Sequence, residues 1–121
     1  WAGRWRRTEV NIGVAPERIV VELRNALDNI VFRWEHTDDW TARELGIAVH
    51  AETVRIHPFT DGNGRTTRFL ADLVFAAVQE PTQWQYDWDL HKARYIELLR
   101  DYDGHRDVGE LVGFIGVEPI A

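Results

Sequence analysis

The sequence predicts an all-α fold, a helical core preceded by a short N-terminal β-hairpin. Three observations carry that expectation. Apolar residues recur at helical spacing through successive stretches, the polar breaks between them are short, and alternating β-formers gather in the first fourteen residues. The 121 residues fit one compact domain spanning 1–121, and 45% hydrophobic content suffices for one core.

Taken in order, WAGRWRRTEVNIGV (1–14) places Trp5, Val10, Ile12 and Val14 in short extended segments, a hairpin or ordered arm. Its arginines would also discourage edge-to-edge pairing. Pro16 suits the first turn of a helix. Ile19, Val20, Leu23, Leu27, Ile30, Val31 and Trp34 then form one amphipathic face, predicting a helix over about 16–35. His36 to Asp39 is a polar break. Asp39 or Thr41 is expected to cap a helix over about 41–56. Its apolar residues run most of the way round, as in a central helix packed on several sides. Pro58 should end it at His57.

Thr60 to Gly64 are turn formers. A helix over about 65–78 follows, nearly all apolar from Phe69 to Val78 and so expected to be deeply buried. Glu80-Pro81-Thr82 ends it, and WQYDW (84–88) reads as an aromatic linker. Asp87 or Asp89 should begin a helix over about 89–102. Asp103-Gly104-His105 reads as a turn, and Asp107 as the cap of a last short helix through Phe114.

Bulk composition narrows the function classes. Formal charge is −6, from 14 basic and 20 acidic residues, so direct nucleic-acid binding is not expected. With no cysteine, the chain has no disulfide or thiolate nucleophile, and with no serine it has no Ser-His-Asp triad. No run of about 18 apolar residues occurs, so no membrane association is expected and a cytoplasmic setting fits. Methionine is also absent and the chain begins at Trp1, so it reads as a fragment without its natural start.

The chemistry concentrates in HPFTDGNGRTTR, His57 to Arg68, between two apolar helices. Gly62 and Gly64 permit positive φ and close backbone approach just before a helix N-terminus, whose N–H groups and dipole favour anions. Asn63 between them can donate an amide. Arg65 and Arg68, three apart, share a helix face. Arginine in a first turn opposes the helix dipole, a local cost that an anionic ligand would offset. Asp61 could hold Mg²⁺ beside substrate phosphates, and a neutral His57 could take a proton from an attacking hydroxyl. Singly, these are a helix-end histidine, a common turn and a loop acid, and Arg68 could merely pair with Asp72. The unbroken string is far more specific than its parts. It lacks the GxxxxGK[ST] spacing of a Walker A loop.

At these residues the sequence resembles the Fic (Fido) family, whose motif HxFx[DE]GNGRxxR is matched at every specified position. The N-terminal segment is similar to the family's flap. Together with YIELLRDYDGHRDVGELVGF, it resembles the subgroup called mobile mystery protein B, for which a toxin or mobile-element role is plausible. The resemblance implies a Fic-type helical fold and transfer of AMP from ATP to a protein hydroxyl. It implies that His57 deprotonates a Tyr, Thr or Ser, Phe59 anchors the loop, and Asp61 binds Mg²⁺ bridging the α- and β-phosphates. Gly62, Asn63 and Gly64 would form the anion hole, with Arg65 on the β-phosphate and Arg68 on the γ-phosphate. Arg4, Trp5, Arg6, Arg7 and Thr8 would align the target backbone by strand addition. Tyr95 either lines the adenine pocket or is a core aromatic.

Many members carry an inhibitory [ST]xxxE[GN] helix whose glutamate competes for the second arginine. This sequence has no such pattern, so the resemblance leaves inhibition to a segment or antitoxin supplied elsewhere. Two alternatives stay open. One is transfer of another phosphate-containing group, or kinase chemistry, against which Gly64 argues. The other is an inactive nucleotide- or partner-binding module. A zinc site on His50 and His57, seven apart, lacks a third ligand. His36, His91 and His105 read as surface residues.

Overall fold

The computed structural model describes residues 18–56 and 63–120. The N-terminal arm, with the expected flap residues Arg4 to Thr8, lies outside them, as do Pro16, His57 to Asp61 and Gly62. Within the described residues five helices and one small sheet follow in the order α1 (Ile19–His36), α2 (Ala42–Ile56), α3 (Asn63–Val78), β1 (Trp84–Tyr86), α4 (Lys92–His105), α5 (Gly109–Phe114) and β2 (Val117–Pro119). The mostly helical character expected of the sequence is therefore observed.

α2 starts in a reciprocal capping box. The Glu44 N–H donates to Thr41 Oγ1 at 3.2 Å, and the Thr41 N–H donates to Glu44 Oε1 at 2.9 Å. Its run from Leu45 to Ala51 is buried without interruption, because α1, α3, α4 and α5 all pack on it. The all-round apolar pattern is thus matched by neighbours on several sides. The main core joins Ile47, Ala48 and Ala51 of α2 to Ala71 and Phe75 of α3, Leu98 and Tyr102 of α4 and Leu111 of α5.

α3 departs from expectation twice. It is helical from Asn63, two residues earlier than the turn formers suggested. It is also not buried all round: Ala71 and Phe75 are in the core, whereas Phe69 and Leu73 are 55% and 51% exposed. One face packs on α2, and the described residues provide nothing to cover the opposite face. α1 likewise packs on α2, and a wholly apolar cavity of about 340 Å³ separates it from α3, with Leu27 and Trp34 on one wall and Leu70 and Val74 on the other.

The aromatic linker is a strand. β1 pairs antiparallel with β2 in the register Trp84↔Pro119, Gln85↔Glu118 and Tyr86↔Val117. Gln79 holds the turn before it, donating from Nε2 to the Trp84 carbonyl at 2.8 Å and accepting the Trp84 N–H at 3.0 Å.

α4 begins at Lys92 and not at about 89. His91 caps it, accepting the Arg94 N–H at 3.2 Å, while Asp87 takes the Asp89 N–H in a tight turn. The expected turn at Asp103-Gly104-His105 is still helix. α4 stops one residue later, where Arg106 adopts the left-handed conformation (φ 59°) and its N–H donates to the Tyr102 carbonyl. The N-cap of α5 is Val108 and not the expected Asp107, which accepts the Gly109 N–H at 2.8 Å from one residue earlier. Arg43 of α2 then ties down the end of α5, donating to the carbonyls of Val112 (2.7 Å) and Ile115 (2.9 Å).

Candidate active site

The segment with the expected chemistry joins the C-terminus of α2 to the N-terminus of α3, which pack side by side. His57, Phe59, Asp61 and Gly62 lie outside the described residues. Asn63 and Gly64 open α3. That first turn carries no acidic side chain, and neither does that of α4, whereas α1, α2 and α5 begin with Glu22, Glu44 and Glu110. Within that turn no carboxylate offsets the orphan N–H groups and positive dipole end of the helix. Arg65 is exposed and Arg68 half-buried.

Beneath this turn sits a polar cluster that the sequence did not reveal. His50, on the buried face of α2, is fully inaccessible. Its Nε2 is hydrogen-bonded to the Tyr95 hydroxyl of α4, and the two rings stack at 5.9 Å. Trp88 tilts against the other side of the imidazole at 4.9 Å. Trp88 Nε1 in turn donates to both carboxylate oxygens of Asp72 on α3, at 3.0 and 3.2 Å. The charge of Arg68 acts on Tyr95, Asp72 and His50.

Burial sets the electrostatics. It pushes His50 down to about 4, a tendency reinforced by the Arg68 charge and opposed by contact with the Thr67 backbone, so the imidazole is neutral near pH 7. Burial also raises the Tyr95 hydroxyl, which keeps its proton, with Arg68 acting in the opposite sense. Asp72 is raised by burial too, although the Trp88 hydrogen bond and the Arg68 charge both favour its ionised form. The result is a neutral imidazole, a phenol and a carboxylate under the influence of the Arg68 cation in the second turn of α3.

Tyr95, expected either in an adenine pocket or in the core, lies half-buried against His50. His50 was weighed only as a zinc ligand, Asp72 only as a partner of Arg68, and Trp88 only as packing. Among the described residues no group of three His, Cys, Asp or Glu could hold a metal ion, and His50 faces aromatic rings. His36, His91 and His105 are exposed, as expected.

A second network braces the C-terminal end of α2, on the approach to His57. Glu52 Oε2 accepts from the Tyr102 hydroxyl and from Arg55 Nε, both at 3.0 Å. Arg55 also reaches Glu22 of α1 at 3.6 Å. Among the described residues, no helix is long and apolar enough to cross a membrane.

The model of the Fic/DOC family matches residues 3–75, more than half of the chain. A protein named protein adenylyltransferase fic-1 from Caenorhabditis elegans is 36% identical over 111 residues, covering 80% of this chain and 21% of its own length. Its namesake from Caenorhabditis briggsae is 35% identical over the same span. Protein adenylyltransferase Fic from Nematostella vectensis is 30% identical over 118 residues, covering 94% of this chain and 26% of its own. The chain thus spans about a quarter or less of the curated relatives it matches.

Proposed function

The chain belongs to the Fic/DOC family, and from that premise we propose that it is a protein adenylyltransferase, moving AMP from ATP to the hydroxyl of a Tyr, Thr or Ser side chain on a target protein. The observation that carries this reading is the unbroken string from His57 to Arg68, which leads from the end of α2 into a first turn of α3 free of acids.

In the proposed reaction His57 takes the proton of the target hydroxyl. The hydroxyl oxygen attacks the α-phosphorus, and the bond from that phosphorus to the pyrophosphate oxygen breaks. The N–H groups at Gly62, Asn63 and Gly64 face the charge building on the α-phosphoryl oxygens. Arg65 and Arg68 hold the departing pyrophosphate by charge-assisted hydrogen bonds. Asp61 would hold Mg²⁺ alongside the substrate phosphates, and the bound ion would neutralise part of their charge. Tyr95 would lie on the nucleotide side, where the Arg68 charge acts on its hydroxyl. The segment Arg4 to Thr8 would lay the target chain beside it as an added strand. Restraint of Arg68 would come from a segment or antitoxin supplied elsewhere.

The test is incubation with α-labelled ATP, Mg²⁺ and candidate proteins. Label should appear on a target with the wild type and disappear with His57→Ala. No label, or equal label with the variant, defeats the proposal. Label from γ-labelled but not α-labelled ATP would assign kinase chemistry instead.

A further inference from the structure

The apolar groove between α1 and α3 has no part in the chemistry above, and among the described residues nothing closes it. We propose that a second copy of this chain covers it, in a two-fold dimer whose α1 helices run antiparallel to each other.

α1 carries two apolar faces with different uses. Ile19, Ala26 and Ile30 are buried, and they make its seam with α2. Val20, Leu23, Leu27, Val31 and Trp34 lie to one side of that seam, at successive spacings of three, four, four and three. This is the spacing with which one helix packs lengthwise along another. Leu23, Leu27, Val31 and Trp34 wall the groove, whereas Val20, Leu27 and Val31 also reach solvent. A second hollow of about 310 Å³, bordered by Val20, Leu23 and Leu27, continues the surface along α1. On the far wall Phe69 and Leu73 extend it over α3. With the groove mouth, this apolar face approaches the ~800 Å² that one partner buries in a standard interface.

The border of the face selects the occupant. Beyond Val31 on the helical wheel comes a stripe of exposed charge, Arg24, Asp28 and Glu35. Arg24 and Asp28 also border the second hollow. Among the described residues none of the three takes part in an ion pair, although Arg24 and Asp28 stand one turn apart. The basic residue lies towards one end of the stripe and the acids towards the other. A two-fold axis between antiparallel helices puts the stripes of both copies on the same side of the pair. Arg24 of each copy then meets the acidic half of the other stripe, whereas a parallel pair would set like charges together. The stripe is thus complementary to itself in one orientation only.

The test is sedimentation of the 121-residue chain over a concentration range. The wild type should pass from monomer to dimer and no further. Val31→Glu and Val20→Glu, each at an exposed position of the seam, should stay monomeric with helical circular dichroism retained. Arg24→Glu and Asp28→Arg should each weaken the dimer roughly tenfold. The double variant Arg24→Glu/Asp28→Arg should recover most of that loss, because the swapped stripe is again self-complementary. Amide exchange in α1 should slow as wild-type concentration rises, and should not in Val31→Glu.

A wild type that is monomeric at every concentration overturns the proposal, whether the groove is then closed by another part of the chain or by a different protein. A dimer that survives both glutamate variants places the interface elsewhere and overturns it too. Losses that simply add in the double variant refute the antiparallel pairing. Species larger than two refute the two-fold axis.

Discussion

Gly46 sits in the middle of the central helix, where glycine ordinarily costs about 1 kcal/mol relative to alanine. Gly46→Ala should nevertheless destabilise the protein. A Cβ at this position would lie 2.2 Å from the Tyr86 hydroxyl oxygen, 3.0 Å from Tyr86 Cζ and 3.1 Å from the backbone oxygen of Ala71. The ring has little room to retreat. Tyr86 is 4% exposed, stacks on Phe75 at 4.5 Å and abuts Trp88 at 5.3 Å. Its hydroxyl donates to the Arg43 carbonyl at 2.5 Å. Displacing it strands a buried hydroxyl, at about 1–3 kcal/mol, and overpacks the α2–α3 contact, at about 1–3 kcal/mol. These penalties exceed the gain in helix propensity by about 1–5 kcal/mol. Urea titration of the wild type, both single variants and Gly46→Ala/Tyr86→Phe would measure the difference. The double variant should recover at least about 1 kcal/mol relative to additivity, since the atom at 2.2 Å is gone. A single variant as stable as the wild type, or strict additivity in the double, would refute the steric reasoning. The contact also bears on the site, because Gly46 lets α3 approach the helix that precedes His57.

His50 should make stability fall with acid. Its imidazole has a folded value of about 4 against an ordinary 6.5, among neutral Tyr95 and Trp88 and the charged Arg68. The unfolded chain therefore binds the extra proton first. The stabilisation is full above about pH 6.5 and is lost as pH falls towards 4, by about 3 kcal/mol in all; denaturation midpoints that hold steady over this window, or fall equally in His50→Gln, would exclude it. Arg43→Ala should cost about 2–3 kcal/mol, since the carbonyls of Val112 and Ile115 lose a charged donor, and Arg43→Lys should recover only part in the same melts. Thr41→Ala should cost about 1 kcal/mol by removing one half of the capping box; an unchanged denaturation midpoint would show that the box contributes nothing.

Legibility in the sequence followed the range of the interactions. α2 could be read because its apolar residues run round the helix and neighbours occupy several sides. The same logic overstated α3, since an apolar residue such as Phe69 does not reveal whether a neighbour will cover it. β1 was missed because WQY becomes a strand only through VEP, more than thirty residues later. The Asp103-Gly104-His105 signal was overridden. Tyr102 is anchored to Glu52 and buried in the core, which carries α4 past the glycine until Arg106 takes the left-handed position. In the site, the motif was plain because its parts are adjacent. The cluster of His50, Asp72, Trp88 and Tyr95 was hidden because four separate segments contribute one residue each. A histidine inside the most buried stretch of the central helix was the available clue.

The way α1 is attached gives the protein a graded response to stress. Among the described residues α1 packs on α2 alone, and Val20, Val21, Val31 and Phe32 are each more than half exposed. Lifting it breaks the seam at Ile19, Ala26 and Ile30 and the ion pair from Glu22 to Arg55. It leaves intact the core shared by α2, α3, α4 and α5, with the Arg68 cluster inside that frame. α1 is thus an outer leaf with its own opening free energy, below that of global unfolding. Its amide protons should exchange with solvent first, while those of α2 and α3 persist.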